Sequence, residues 1–404
     1  MILVNVSYPH VIFRFVDKVV AAQVEPGPRA RSNDRAVLQV LEDRPQLTRQ
    51  QIVEATGLSR STVADVVARM VSAGRLAESP SAPAGRGRPA QVLRLADPQG
   101  LLLGLAFGHN NLAVAVGDPS GQILRERAVD ASVDHDPLKT LDLALQVSRE
   151  LLQEEGSDLD DVAHVAAGMP GPLDHEGVLQ IPSLLGNGQI MEPAKALREL
   201  FGRPVLTVND TVLGAYGEMQ VGAARGVDTF IFVKASHGVG AALIVGGKLH
   251  RGSTGLAGEI GHTRLSGATG RCRCGNVGCL ETMSGIEGLA RELPAPYGQD
   301  SLCRPSVGDP VVDRVITDAG RSVGATLAPI CNLLNPSLIV TGGLLGSGHA
   351  EAFVKGMREG IDGSTQPAIA RAVDVVPSAL GIRVERVGAV LLARREALAA
   401  SSQL

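Results

Sequence analysis

Three of the five cysteines in this 404-residue chain, Cys272, Cys274 and Cys279, fall within eight positions, and His262 precedes the first of them by ten. One imidazole and three thiols are a donor set that Zn²⁺ takes in tetrahedral structural sites. Gly275 and Gly278 let the loop turn back on an ion. A His in place of the fourth thiol argues against an iron–sulfur cluster. The spacing therefore predicts one structural Zn²⁺ per chain, held by His262, Cys272, Cys274 and Cys279. It also predicts a reducing, cytoplasmic setting, because five cysteines so placed cannot form a disulfide framework. Cys303 and Cys331 read as buried or incidental thiols.

The length exceeds one ordinary domain and predicts two or three. With 44% hydrophobic and 20% charged residues the chain is globular, and with 2% aromatics and no Trp its core must be aliphatic. No apolar run is long enough to span a bilayer. Charge is unevenly spread. Arg29–Arg94 carries 11 Arg and 6 acids, whereas the rest of the chain carries 27 basic and 36 acidic residues. A small basic module thus precedes an acidic body, which fits either a nucleic-acid-facing domain or a solvated basic face. Residues 1–28 fit neither part. Met1–Val24 has no basic start and no cleavage site, so it is not expected to be a secretory leader.

The basic module, residues 29–97, reads as a winged helix-turn-helix. Asn33 can cap a helix to about Asp43 that Pro45 ends, with Val37, Leu38 and Leu41 on one face. Thr48 can cap a second helix, Arg49–Thr56, with Ile52, Val53 and Ala55 inward, and Gly57 makes the turn. Ser59 can cap a third helix to about Ala73, with Val63, Val66, Val67 and Met70 inward. Arg49 and the exposed start of the third helix, Ser59, Arg60, Ser61 and Thr62, are the candidates for bases and phosphates in a major groove. Arg75–Leu95 reads as a wing. Its tip, Gly85–Pro89, offers Arg86 and Arg88 to a narrow minor groove. A tri-helical protein-interaction module would share this pattern.

From residue 98 to residue 404 the pattern becomes α/β. Leu101–Phe107, Leu112–Val116 and Gln122–Ala128 read as strands, followed by a helix from about Pro137 and a strand Val162–Ala167. Thr229–Ala235, Gly240–Val245 and Lys248–His250 repeat the arrangement, which predicts an internal duplication and two lobes with a cleft. Asn209 and Asp210 stand where strand Val205–Val208 meets a helix. Such strand ends face clefts in open sheets, although Asn209 would also cap the helix. Glu259 lies three residues before His262 and Glu281 two after Cys279. Carboxylates, an amide and an imidazole suit a polyhydroxylated ligand.

Leu256–His262 together with Cys272–Glu281 closely resembles the signature of the ROK family of sugar kinases and sugar-responsive repressors. Asn209–Asp210, Gly238–Leu243, Asn335–Gly343 and Val387–Leu391 match further family segments in order, from about Leu101 onward. The N-terminal module resembles the repressor branch, which includes xylose and N-acetylglucosamine repressors. The resemblance implies an actin/hexokinase-like two-lobed fold, a zinc-ordered loop and homo-oligomers, dimers or tetramers. It also implies a sugar contacting Asn209, Asp210, Glu259, His262 and Glu281, with His262 binding zinc through one ring nitrogen and facing the sugar with the other.

The departures bear on activity. At the positions of the kinases' Asp-x-Gly-Gly-Thr phosphate motif stand Ala106, Phe107, Gly108, His109 and Asn110. A methyl group replaces the carboxylate and a ring replaces the second glycine, obstructing the close backbone approach that phosphates need. Phosphoryl transfer depends on such positioning, so ATP binding is expected to be lost although Asp210, the family's base, remains. Gly342–Gly343 would pack near an adenosine but also suits a plain turn. Pro182–Ser183, where many members have Pro-Asn, leaves one sugar contact open. The expected function is a repressor binding operator DNA and a sugar effector, with no catalysis and no membrane. A sugar kinase carrying a DNA-binding domain is the alternative.

Overall fold

A computed structural model describes residues 28–44, 46–80, 91–181, 190–304 and 308–401. The expected extension before Pro28, the wing tip with Arg86 and Arg88, Pro45, and Pro182–Ser183 lie outside the described residues. The chain divides into two compact units, Met1–Leu95 and Ala96–Leu404.

In the first unit, helices α1 (Pro28–Asp43), α2 (Arg49–Thr56) and α3 (Arg60–Ser72) pack with a three-stranded sheet of β1 (Leu47–Thr48), β2 (Leu76–Pro80) and β3 (Gln91–Leu95). Local chemistry sets the helix ends. The Thr48 hydroxyl accepts from the Gln51 amide, and the Gln51 side chain accepts from the Thr48 amide. Gly57, at φ 68°, closes α2 in the left-handed region. Ser59 caps α3 at Thr62. Val37, Leu41, Ile52, Val63, Val67, Met70 and Leu93 form the core.

Three expectations change. Helix α1 starts at Pro28 and runs through Asn33, since proline suits a first helical position. Leu47–Thr48 adds a strand antiparallel to β3. Ala55 is exposed: at about 100° per residue it lies well round the helix from the direction midway between Ile52 and Val53, which meets the core.

The second unit holds two five-stranded sheets. The first contains β4 (Leu101–Phe107), β5 (Asn111–Gly117), β6 (Ile123–Asp130), β7 (Val162–Met169) and β8 (Val205–Asn209), in the order β6-β5-β4-β7-β8. Helices α4 (Pro137–Glu154), α5 (Pro193–Phe201) and α6 (Asp210–Val221) accompany it. The second sheet contains β9 (Phe230–Ala235), β10 (Val239–Val245), β11 (Lys248–His250), β12 (Leu338–Gly342) and β13 (Asp374–Pro377), in the order β11-β10-β9-β12-β13. Short helices α7 (Glu281–Ser284), α8 (Ile286–Ala290) and α9 (Gln299–Cys303) lead to α10 (Pro310–Leu334). After β12 come α11 (Gly343–Gly348), α12 (Ala350–Ser364) and α13 (Pro367–Ala372), and after β13 comes α14 (Val384–Ser401).

Numbered within each lobe, both sheets run 3-2-1-4-5, and in both the first three strands are antiparallel while the last two add in parallel. The duplication read from the strand pattern is thus present as topology. The parallel central strands are buried on both faces and are nearly uninterrupted aliphatic runs.

Helices α6 and α14 lie between the sheets. Leu213, Ala389, Val390 and Ala393 pack on the first sheet, and Ala215 and Val384 pack on the second. A Cβ on Gly388 would stand 1.9 Å from the Leu213 carbonyl oxygen. The Val387–Leu391 segment therefore serves close helix crossing. Gly388→Ala is expected to destabilise the unit by about 2–3 kcal/mol, overpacking outweighing alanine's helix propensity. Urea unfolding with an unchanged slope measures it, and a neutral result would mean that the helices do not cross this closely.

Candidate functional site

Strand ends and tight turns of both lobes converge on a cavity of about 460 Å³. The end of β4 and the turn after it contribute Ala106, His109 and Asn110, and the junction of β8 and α6 contributes Asn209 and Asp210. The second lobe supplies Lys234, His237, Glu259, His262 and Glu281, and α14 supplies Glu385 and Arg386. All five expected sugar residues thus line one cavity.

Asn209 is also the helix cap. Its Oδ1 accepts from the Thr211 amide at 2.8 Å and its Nδ2 donates to the Gly171 carbonyl at 2.8 Å. Asp210 is buried. The Lys234 ammonium donates to its Oδ2 at 2.8 Å and lies 3.0 Å from Glu385 Oε1. Burial disfavours a charged lysine, but the two carboxylates outweigh it and raise its pKa. The one sequence signal for this triad is a lone lysine near the end of the apolar strand Phe230–Ala235, a signal too weak to single it out. Glu385, 151 positions away, carried none.

Glu259 is pushed up to about 7 by burial and by the charges of Asp210 and Glu281. Its Oε2 lies 3.6 Å from His262 Nε2. Glu281 Oε2 accepts from the Val239 amide at 3.3 Å. His237 is held near 4, chiefly by burial.

The metal candidates also converge. The His262, Cys272, Cys274 and Cys279 donor atoms all lie within 4.8 Å of one another. His262 Nδ1 is 3.5 Å from Cys272 Sγ, and Cys274 Sγ is 3.7 Å from Cys279 Sγ. A tetrahedron with metal–sulfur distances of about 2.3 Å has edges of about 3.8 Å, so the donors fit a Zn²⁺-sized ion. Burial pushes the Cys272 thiol up to about 12; a cation among the sulfurs would draw it to the thiolate. With Nδ1 toward the sulfurs, the Nε2 of His262 is left toward Glu259 and the cavity.

In the first unit, Arg60 and Ser61 are exposed at the start of α3. The Ser59 hydroxyl is engaged with the Thr62 amide at 3.1 Å, the Thr62 hydroxyl at 2.8 Å and the Ser61 hydroxyl at 2.9 Å. Arg49 pairs with Glu78 of β2. Arg60 is therefore the candidate base-reader of this helix start, while Arg49 would have to leave a carboxylate to hold a phosphate.

Residues 102–396 match the model of the ROK family, and residues 31–76 match that of a winged helix-turn-helix DNA-binding domain. The DNA-binding transcriptional repressor Mlc of Escherichia coli is 27% identical over 379 residues, 90% of this chain and 93% of that one. The xylose repressor of Caldicellulosiruptor bescii is 24% identical over 350 residues, 82% and 87% of the two chains. A crystal structure of a ROK family transcriptional regulator, a homologue of E. coli Mlc, shares the fold. Its TM-score is 0.72 at 22% identity, over 93% of this chain and 98% of that one. A ROK family glucokinase from Streptomyces griseus, solved with glucose and AMPPNP, matches with TM-score 0.60 and 26% identity over 73% of this chain and all of that one. The chain belongs to the ROK family, and its winged helix-turn-helix unit places it with the family's DNA-binding regulators rather than with its sugar kinases.

Proposed function

We propose that this protein is a cytoplasmic, homo-oligomeric repressor of carbohydrate genes whose operator affinity is set by a sugar between the lobes of its zinc-containing ROK unit. The carrying observation is a chain that pairs a winged helix with a ROK cleft whose Asp210 carboxylate is held by the Lys234 ammonium at 2.8 Å. With Ala106 at the phosphate turn, that arrangement supports ligand binding without phosphoryl transfer. Asn209, Asp210, Glu259, His262 and Glu281 take the sugar hydroxyls. His262, Cys272, Cys274 and Cys279 would hold a Zn²⁺ ion, which would cross-link their loop.

Sugar that binds one lobe closure better than another shifts the population of DNA-competent oligomers, with coupling of about 1–3 kcal/mol. Dimers or tetramers place two recognition helices on half-sites about one helical turn, or a multiple, apart. Ser59, Ser61, Thr62 and Arg49 add base-edge and phosphate contacts in the major groove, and the wing arginines Arg86 and Arg88 enter a narrow minor groove.

Titrating a sugar panel against labelled operator tests this reading. Operator retention that one sugar changes, in step with its binding to the ROK unit, is the expected result. ATP-dependent turnover of a hexose, abolished by Asp210→Asn, would establish the kinase alternative instead. Arg60→Ala is expected to cost about 1–3 kcal/mol of operator binding and to relax preference at one base pair if Arg60 reads a guanine. An equal loss on every sequence would reduce Arg60 to a phosphate contact.

A further inference from the structure

His109 occupies the position where the kinase motif has its second phosphate glycine, yet the structure gives it a defined polar setting. Its Nδ1 lies 2.7 Å from Asp134 Oδ2. The Arg273 Nη1 donates to the same oxygen at 2.7 Å, and its Nη2 donates to Glu287 at 2.8 Å. Burial opposes ionisation of Asp134, but His109 and Arg273 outweigh it and keep the carboxyl below its ordinary pKa.

A carboxylate only accepts, so Nδ1 of His109 is the donor, and whenever the ring holds a single proton Nε2 keeps an acceptor lone pair. Among the described residues Nε2 has no hydrogen-bond partner. His109 and Glu281 both line the cavity. A Cβ on Gly238 would lie 2.9 Å from Glu281 Oε2 and 3.9 Å from His109 Nε2, so those two atoms are at most 6.8 Å apart. Two acceptors that close are within reach of the hydroxyls of one sugar. The remaining neighbours point the same way. His237 is engaged with Asn110 at 2.9 Å, and its ring stands 5.7 Å from that of His109, walling the turn.

Resting on the sugar reading of the cleft, we propose that His109 is a ligand-contacting residue supplied by the first lobe, accepting a hydroxyl of a neutral sugar whose other hydroxyls meet Glu281. Asp134 is its positioning residue. The ligand class follows from the donor–acceptor balance: two acceptors facing one another select hydroxyl donors and disfavour a phosphate ester at that end of the sugar. Arg273 sits between the metal-binding Cys272 and Cys274, so the contact also joins the metal loop of one lobe to the sugar-facing ring of the other. A sugar bound in this way bridges the lobes.

The test is calorimetric titration of the metal-loaded full chain at about pH 8, above the ordinary imidazole range. The ligands are neutral aldopentoses, aldohexoses and N-acetylhexosamines together with their phosphate esters. A neutral sugar is expected to bind. His109→Ala should weaken it roughly tenfold or more, and His109→Gln, which keeps an acceptor, should recover part of the loss. Asp134→Asn should weaken binding and convert the His109 ¹⁵N signature from the Nδ1-protonated tautomer to a mixture, a change that a purely structural role would not produce. Operator retention by each variant reports folding, and where His109→Ala fails to fold, His109→Gln carries the comparison. Wild-type affinity in both His109 variants overturns the proposal while leaving the sugar cleft intact. Exclusive binding of phosphate esters overturns its ligand class. No binding of any sugar to the wild type removes the sugar reading, and this inference with it.

Discussion

A chain carrying Cys279→Ser is expected to lose its bound metal and to melt well below the wild type. The four donors hold a loop that packs little aliphatic surface of its own. Arg271, Arg273, Asn276 and Val277 are all exposed, and the backbone there closes through short turns and the isolated pairings Arg264 with Cys279 and Arg271 with Val277, not through a regular element. Structural zinc supplies about 10–16 kcal/mol in small zinc-finger peptides. A loop anchored in a larger domain recovers part of that, and a net loss of about 4 kcal/mol corresponds to roughly 8–16 °C, at about 2–4 °C per kcal/mol in a domain of this size class. Elemental analysis should find one zinc per wild-type chain and background in the variant, and calorimetry should reproduce the lower melting temperature in wild type treated with chelator. Metal-free wild-type protein with an unchanged melting point would dispose of the site.

Lys234→Met is expected to cost about 3–5 kcal/mol of stability, because it leaves Asp210 and Glu385 facing each other without their cation. The three side chains are 17%, 11% and 14% exposed, so water screens the remaining repulsion poorly. Replacing the carboxylates as well, with Asp210→Asn and Glu385→Gln, should recover much of the loss, since removing a whole buried ion group is far less costly than orphaning its members. Urea unfolding of the single and triple variants supplies the comparison. A single variant within about 1 kcal/mol of wild type would mean that the ammonium does not hold the pair.

Both predictions concern the same cleft, yet they differ in how readily the chain announces them. The metal donors stand within 18 consecutive positions, and soft ligands so crowded have few uses. The capping of α2 and α3 was equally legible, because Thr48 with Gln51 and Ser59 with Thr62 are three residues apart and act before any packing. Strand alternation and turn residues disclosed the duplication. The triad was not legible: Lys234 finds Asp210 across 24 positions and Glu385 across 151. Arg273 finds Asp134 across 139, and nothing local distinguishes it from any loop arginine. Gly388 matched a family segment, but its reason, the carbonyl of Leu213, lies on another helix.

What the amino-acid order settled is therefore the short-range chemistry: helix ends, strand periodicity, the crowding of one imidazole and three thiols, the basic module ahead of an acidic body, and the methyl group where a phosphate motif has a carboxylate. Folding in three dimensions settled which charges meet. Helix α14 returns from the end of the chain to lie between the sheets, bringing Glu385 to Lys234, and the metal loop crosses to Asp134. Such pairings depend on distances through space, and Coulomb and hydrogen-bond energies fall away too steeply for sequence neighbours to reveal them.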